Sequence, residues 1–227
     1  PVLVKVGISA VDMEGAKKNL EAEIPDWNFD KVRKDARQAW NEYLSKIDVT
    51  TNNETDKTIF YTSMYHTAIS PNLFIDVDGR YWGMDRTVHQ GDIDKPIYTT
   101  FSLWDTFRAL HPLLSIIEPQ MNNDFIYSLL QKHKEGGIFP MWDLASNYTG
   151  TMIGYHTVSL IADAYTKGYA NFDLNEAYKA SLRAAEYDTT GIVCPALVLP
   201  HLMPQAKYYK NKLGYVPCDE DNESVAK

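Results

Sequence analysis

The chain has 227 residues, 44% of them hydrophobic, enough to bury a substantial core as one large domain or two small ones. Its 22 basic and 30 acidic residues leave a net charge of −8 with no basic run, which disfavours nucleic acid and anionic membrane surfaces as partners. No apolar stretch reaches the roughly 18 residues of a membrane-spanning segment, and no basic, apolar export leader is visible.

Two cysteines, Cys194 and Cys218, each adjoin a proline in loop-like surroundings and read as free thiols. Aromatic residues make up 12% of the chain, with 15 Tyr and 5 Trp, which suits a sugar-binding surface as well as a large core.

Residues 2–8 place Val2, Val4, Val6 and Ile8 on one face and predict a strand. No partner strand lies nearby, so the strand reads as the last of a preceding β domain. Residues 12–22 predict a short helix. Asn28 is placed to cap a helix whose stripe runs through Phe29, Val32, Ala36, Trp40, Tyr43 and Ile47. Asp56 reads as the cap of the next, which carries Ile59, Phe60, Met64 and Ala68 until Ser70-Pro71 stops it. Asp78-Gly79 is a tight-turn signal between two short apolar runs, so residues 73–83 predict a hairpin. Its Asp-x-Asp-Gly lacks the later ligands of an EF-hand. Residues 84–100 then read as a long loop bearing Asp85, His89, Asp92 and Asp94.

The densest chemistry lies in residues 101–111, where Ser102 suits a helix N-cap and Asp105 falls in the first turn, favoured by the helix dipole. Leu103, Phe107, Leu110 and Leu114 mark the buried face, and Pro112 bends or restarts the helix near His111. Asp105 and Arg108 form an i, i+3 pair beside Trp104, good chemistry for gripping a polyol and equally a common helix-start arrangement.

Residues 121–135 predict a helix through Phe125, Ile126, Leu129 and Leu130, closed by Gly136-Gly137. The irregular stretch 138–150, with Trp142, Asp143, Asn147 and Tyr148, is a candidate site lip. A helix over 151–168 carries His156 in its first half, and Asp173 to Glu176 opens a helix over 174–187 with Ala177, Tyr178, Leu182 and Ala185 inward. Residues 189–218 read as Pro-rich loop with a short helix near 204–213, and Asn222 to Lys227 as the start of a further helix. Both ends look like interruptions of larger elements.

Three stretches in this order resemble the family-92 glycoside hydrolases: Phe-Ser-Leu-Trp-Asp-Thr-Phe-Arg (101–108), Ser-Asn-Tyr-Thr-Gly-Thr-Met-Ile-Gly-Tyr-His (146–156) and Leu-Gly-Tyr-Val-Pro (213–217). Asp-Val-Asp-Gly-Arg-Tyr (76–81) and Val-Gly-Ile-Ser (6–9) match as well. The resemblance implies a calcium-dependent, exo-acting α-mannosidase built from a β-sandwich, linking helices and an (α/α)₆ barrel. On that pattern the chain is mainly α: residues 1–9 end the sandwich, 10–50 are a helical linker, and 51–227 are about the first half of the barrel.

The implied reaction removes terminal α-linked mannose, α-1,2-linked above all, from glycans with inversion, using an acid and a base carboxylate about 6.5–9.5 Å apart. The family's acid, base and most calcium ligands fall beyond this chain, so no catalytic residue and no metal ligand is assigned within it. What carries over is a substrate-holding wall: Trp104, Asp105 and Arg108, with Trp142, Asp143, Asn147 and His156. The family also implies an extracytoplasmic location and mannose-containing glycans as partners. The alternative is a non-catalytic helical carbohydrate-binding or scaffold domain.

Overall fold

Side-chain caps set where the first helices begin. In this computed structural model, which describes residues 2–220, Asp12 accepts from the Gly15 amide ahead of α1 (Met13–Glu23) and Asn28 from the Lys31 amide ahead of α2 (Phe29–Leu44). The cap of α3 (Glu54–Thr67) is Asn53, accepting from the Thr55 amide; Asp56 is already helical and lends its charge to the first turn. Trp40 of α2 packs 4.5 Å from Tyr65 of α3, and the hydroxyls of Tyr43 and Thr67 lie 2.9 Å apart.

Residues 2–9 form no strand among the described residues. Val2, Val4, Val6 and Ile8 are 90%, 77%, 74% and 81% exposed, because no described strand offers that row a ladder partner.

Three antiparallel two-stranded ladders follow: β1 (Asn72–Leu73) with β4 (Tyr98–Thr99), β2 (Arg80–Trp82) with β3 (Val88–Gln90), and β5 (Phe101–Ser102) with β6 (Trp142–Asp143). The hairpin therefore sits later than the sequence implies. The chain does turn at Asp76 to Gly79, whose amide reaches the Asp76 carbonyl at 2.8 Å, but residues 80–82 pair onward with 88–90. The Asp76 carboxylate explains the shift: it accepts from Ser9 at 2.7 Å and Asn19 at 2.8 Å, tying the turn to α1 while Leu73 pairs with Tyr98. The stretch read as a long loop thus carries β3 and β4.

After β5 come α4 (Leu103–Thr106), α5 (Leu110–Ile117), α6 (Pro119–Gly136), α7 (Thr157–Thr166) and α8 (Leu174–Ala185). The helix from 103 does restart before Pro112. Helix α6 begins on Pro119, whose missing N–H is no loss there, and ends where Gly137 takes φ 87°, a left-handed conformation that glycine adopts without strain. It packs against α5, α7 and α8 around Phe101, Phe125, Ile126, Leu129 and Leu160. The inner face of α8 is Ala177, Ala180 and Ala184, whereas Tyr178 and Leu182 are 64% and 46% exposed. Small side chains let that helix approach α6 closely, and bulk turns outward. Short α9 (Leu199–Leu202) and α10 (Gln205–Leu213) complete the mainly helical fold; the helix start expected at 222–227 lies outside the described residues. No described helix is long and apolar enough to cross a membrane.

Candidate functional site

The ladder between β5 and β6 sets Ser102 opposite Trp142, and the chain passes from Ser102 directly into the single turn of α4. Ser102 holds the N-cap position, yet its hydroxyl bonds no amide of that turn. Instead it donates to Asp105 Oδ2 at 2.6 Å and accepts from the Trp142 indole N–H at 2.8 Å. Strand pairing brings the indole within reach of Ser102, and that competes with the capping geometry. Asp105 is exposed, and its Oδ1 has no hydrogen bond among the described residues.

Arg108 does not pair with Asp105. Its guanidinium lies 5.0 Å from the ring centres of both Trp104 and Phe107, a stacked position that a planar cation favours. His156 stands at the N-cap of α7 rather than inside it, stacked on Phe107 at 4.1 Å and 4°, with Trp104 at 5.2 Å. Burial, and secondly the charge of Arg108, lower the imidazole pKa, so the ring is neutral at pH 7. Trp104, Asp105, Arg108, Trp142 and His156 thus share one shelf beside β5.

Gly154 fits this shelf closely: at φ 84° it is left-handed, and a Cβ there would lie 2.4 Å from His156 Nε2. Gly154→Ala is therefore expected to cost about 1–3 kcal/mol and displace the imidazole. Denaturant unfolding of the full-length polypeptide checks this; unchanged stability would show that the loop relaxes freely.

Asp143 and Asn147 lie elsewhere. The Asp143 side chain is 0% exposed, paired with Lys132 Nζ at 3.2 Å, itself 1% exposed. Thr99 donates to Asp143 Oδ2 at 2.8 Å, and Lys132 also donates to Ser146 at 3.1 Å. Burial pushes the Asp143 carboxyl above the usual carboxylate range, with Lys132 opposing. Its Oδ1 has no partner, so this carboxylate supports β6 from beneath and does not line the surface. Asn147 is exposed and closes the turn after β6, its amide donating to the Ala145 carbonyl at 2.8 Å. In that turn Ala145 and Ser146 take φ 49° and 54°, the left-handed pair of a two-residue hairpin loop.

Ser102 as a partner of Asp105, and Lys132 and Thr99 as partners of Asp143, escape a reading of the sequence. One signal for Lys132 was present: it stands three residues after Leu129 on the buried face of α6, where a lysine calls for a buried carboxylate. Among the described residues, no group of three or more His, Cys, Asp or Glu side chains is placed to hold a metal ion.

The description of the glycosyl hydrolase family 92 catalytic domain matches residues 15–227. A protein of Arthroderma benhamiae named as an uncharacterised secreted glycosidase is 30% identical over 192 residues, covering 82% of this chain and 20% of its own length. A family GH92 α-mannosidase of Bacteroides thetaiotaomicron, solved in complex with mannoimidazole, superposes with a TM-score of 0.83 at 34% identity, over 96% of this chain and 27% of that one. A family GH92 inverting mannosidase from the same organism gives 0.82 at 29% identity, over 94% and 28%. The chain thus spans between 20% and 28% of the length of these relatives. It belongs to glycosyl hydrolase family 92, of whose catalytic domain it forms a part.

Proposed function

We propose that this chain holds the terminal sugar in an exo-acting α-mannosidase, which removes α-linked mannose, α-1,2-linked in particular, from glycans with inversion. The observation that carries the reading is the exposed Asp105 carboxylate, fixed through one oxygen by Ser102, on the same helical turn as Trp104, whose ring the Arg108 guanidinium covers. Charge-assisted hydrogen bonds from a fixed carboxylate to sugar hydroxyls are directional, and the indole beside it offers a flat apolar wall. The solved relatives are mannosidases, one of them an α-mannosidase holding mannoimidazole, and this supports mannose as the sugar.

In this reading the helices belong to roughly the first half of an (α/α)₆ barrel, residues 10–50 to a linker and residues 1–9 to a preceding sandwich. No residue here is assigned as acid or base, so the chain by itself is expected to release no mannose. Calcium belongs to the reading through the family; no ligand for it is assigned among the described residues, and no step is derived through it. An extracytoplasmic location is supported by the secreted relative.

The test is Asp105→Asn in the full-length enzyme. Folding and melting temperature should change little, while kcat/KM for an α-mannoside falls roughly ten- to a thousandfold, at about 1.4 kcal/mol per factor of ten. A variant destabilised by about 1 kcal/mol yet fully active would retire the assignment and leave Asp105 as a helix-start carboxylate.

A further inference from the structure

We infer that Trp142 and Ser102 form a one-way hydrogen-bond relay that orients the Asp105 carboxylate, making Ser102 a positioning residue for sugar recognition. The inference rests on Asp105 being a sugar acceptor, as proposed above.

Its direction follows from counting protons. An indole N–H can only donate, so Ser102 Oγ is an acceptor towards Trp142, 2.8 Å away. The hydroxyl has one proton, and Asp105 Oδ2 at 2.6 Å receives it. A carboxylate bonded in this way is held as an acceptor: Oδ2 is engaged, and Oδ1 is left to meet a hydroxyl from outside. The relay also decides what Trp142 can do. Its polar atom is committed to Ser102, so towards a sugar it can present only its ring.

The surrounding structure supplies the stiffness the relay needs. Helix α4 is a single turn and cannot by itself fix an exposed side chain. The Thr106 hydroxyl donates to the Ser102 carbonyl at 3.1 Å, pinning that turn to the end of β5. Beneath Trp142, the buried Lys132 and Asp143 pair and the hydroxyl of Thr99 tie β6 to α6 and β4, beside its ladder with β5. The Asp105 carboxylate thereby inherits its orientation from a ladder and a buried ion pair.

The experiment measures kcat/KM in the full-length enzyme for Asp105→Asn, Ser102→Ala, Ser102→Thr, Trp142→Phe and the Ser102→Ala/Trp142→Phe double variant. The substrates are an α-mannoside and its monodeoxy derivatives. Ser102→Ala should lower kcat/KM about tenfold and Ser102→Thr, which keeps the hydroxyl, much less. Trp142→Phe tests the relay from its other end; because the indole N–H acts only through Ser102, the double variant should be no worse than Ser102→Ala. The deoxy derivative that no longer responds to Asp105→Asn should also stop responding to Ser102→Ala, whereas a merely structural serine would affect every substrate alike. Independent, multiplying losses in the double variant, or equal losses across the derivatives, would overturn the relay. Full activity in Ser102→Ala with a large loss in Asp105→Asn would retire the relay alone, and full activity in Asp105→Asn would retire the sugar-binding reading with it.

Discussion

Lys132→Met is expected to destabilise the helical layer by about 3–5 kcal/mol, the usual cost of stripping one partner from a buried ion pair. The pair is dry on both sides, 1% and 0% exposed, and Asp143 Oδ1 already lacks a hydrogen bond. Without the ammonium the carboxylate must either stay charged in an apolar setting or take up a proton. Burial already pushes its pKa upward, so the second route opens as pH falls, and the loss should be smaller at pH 5 than at pH 8. Adding Asp143→Asn, which keeps an oxygen for Thr99 to donate to, should recover much of the loss. Hydrogen exchange on α6 in the full-length polypeptide reads the effect locally, where global melting mixes domains. Native protection in the single variant would mean that the pair contributes nothing to stability.

A second large effect concerns acid. His111 on α5 is 1% exposed, neither ring nitrogen has a hydrogen-bond partner in good geometry, and burial lowers its pKa to about 4, with Asn122 opposing. An unfolded histidine titrates near 6.5, so the unfolded chain takes up a proton first as pH drops. The stabilisation is therefore complete above pH 6.5 and is lost as pH falls towards 4, by up to about 3 kcal/mol. His133 and His156 are lowered as well, burial leading in each case, and add to the same slope. His111→Gln should flatten the stability profile between pH 6.5 and 4 while leaving the contribution of the other two. An unchanged slope in that variant would clear His111 of the effect.

The sequence is most informative where local chemistry decides. Asn28 and Asp173 cap the helices predicted from them, and Gly137 ends α6, because each depends on a few adjacent residues. It is least informative where two local solutions compete and a distant contact chooses. Asp78-Gly79 signals a turn, but whether Arg80 to Trp82 pair backward or forward is decided by Ser9 and Asn19 holding Asp76. The face of α8 likewise follows from how near α6 can come, which apolar spacing alone does not encode. At the site, residue types point to Trp104, Asp105 and Arg108 as one group, but not to Arg108 lying on the Trp104 ring while Ser102 holds the carboxylate. Asp143 looks like a lip residue because it lies among surface types; only the burial of Lys132 beneath it shows otherwise.

The left-handed turn at Ala145 and Ser146 leaves this lip with a lopsided tolerance to genetic change. At position 145 the backbone alone rules: glycine or asparagine would fit more easily than the alanine present, and a β-branched residue would be rejected even where space is open. At position 146 a second condition applies, since the serine oxygen accepts a hydrogen bond from the Lys132 ammonium at 3.1 Å. Glycine there would ease the backbone and leave the ammonium short of an acceptor. Two adjacent codons under the same conformational demand are thus free to drift in different directions, one limited by backbone shape and the other by the acceptor that the buried Lys132 ammonium requires.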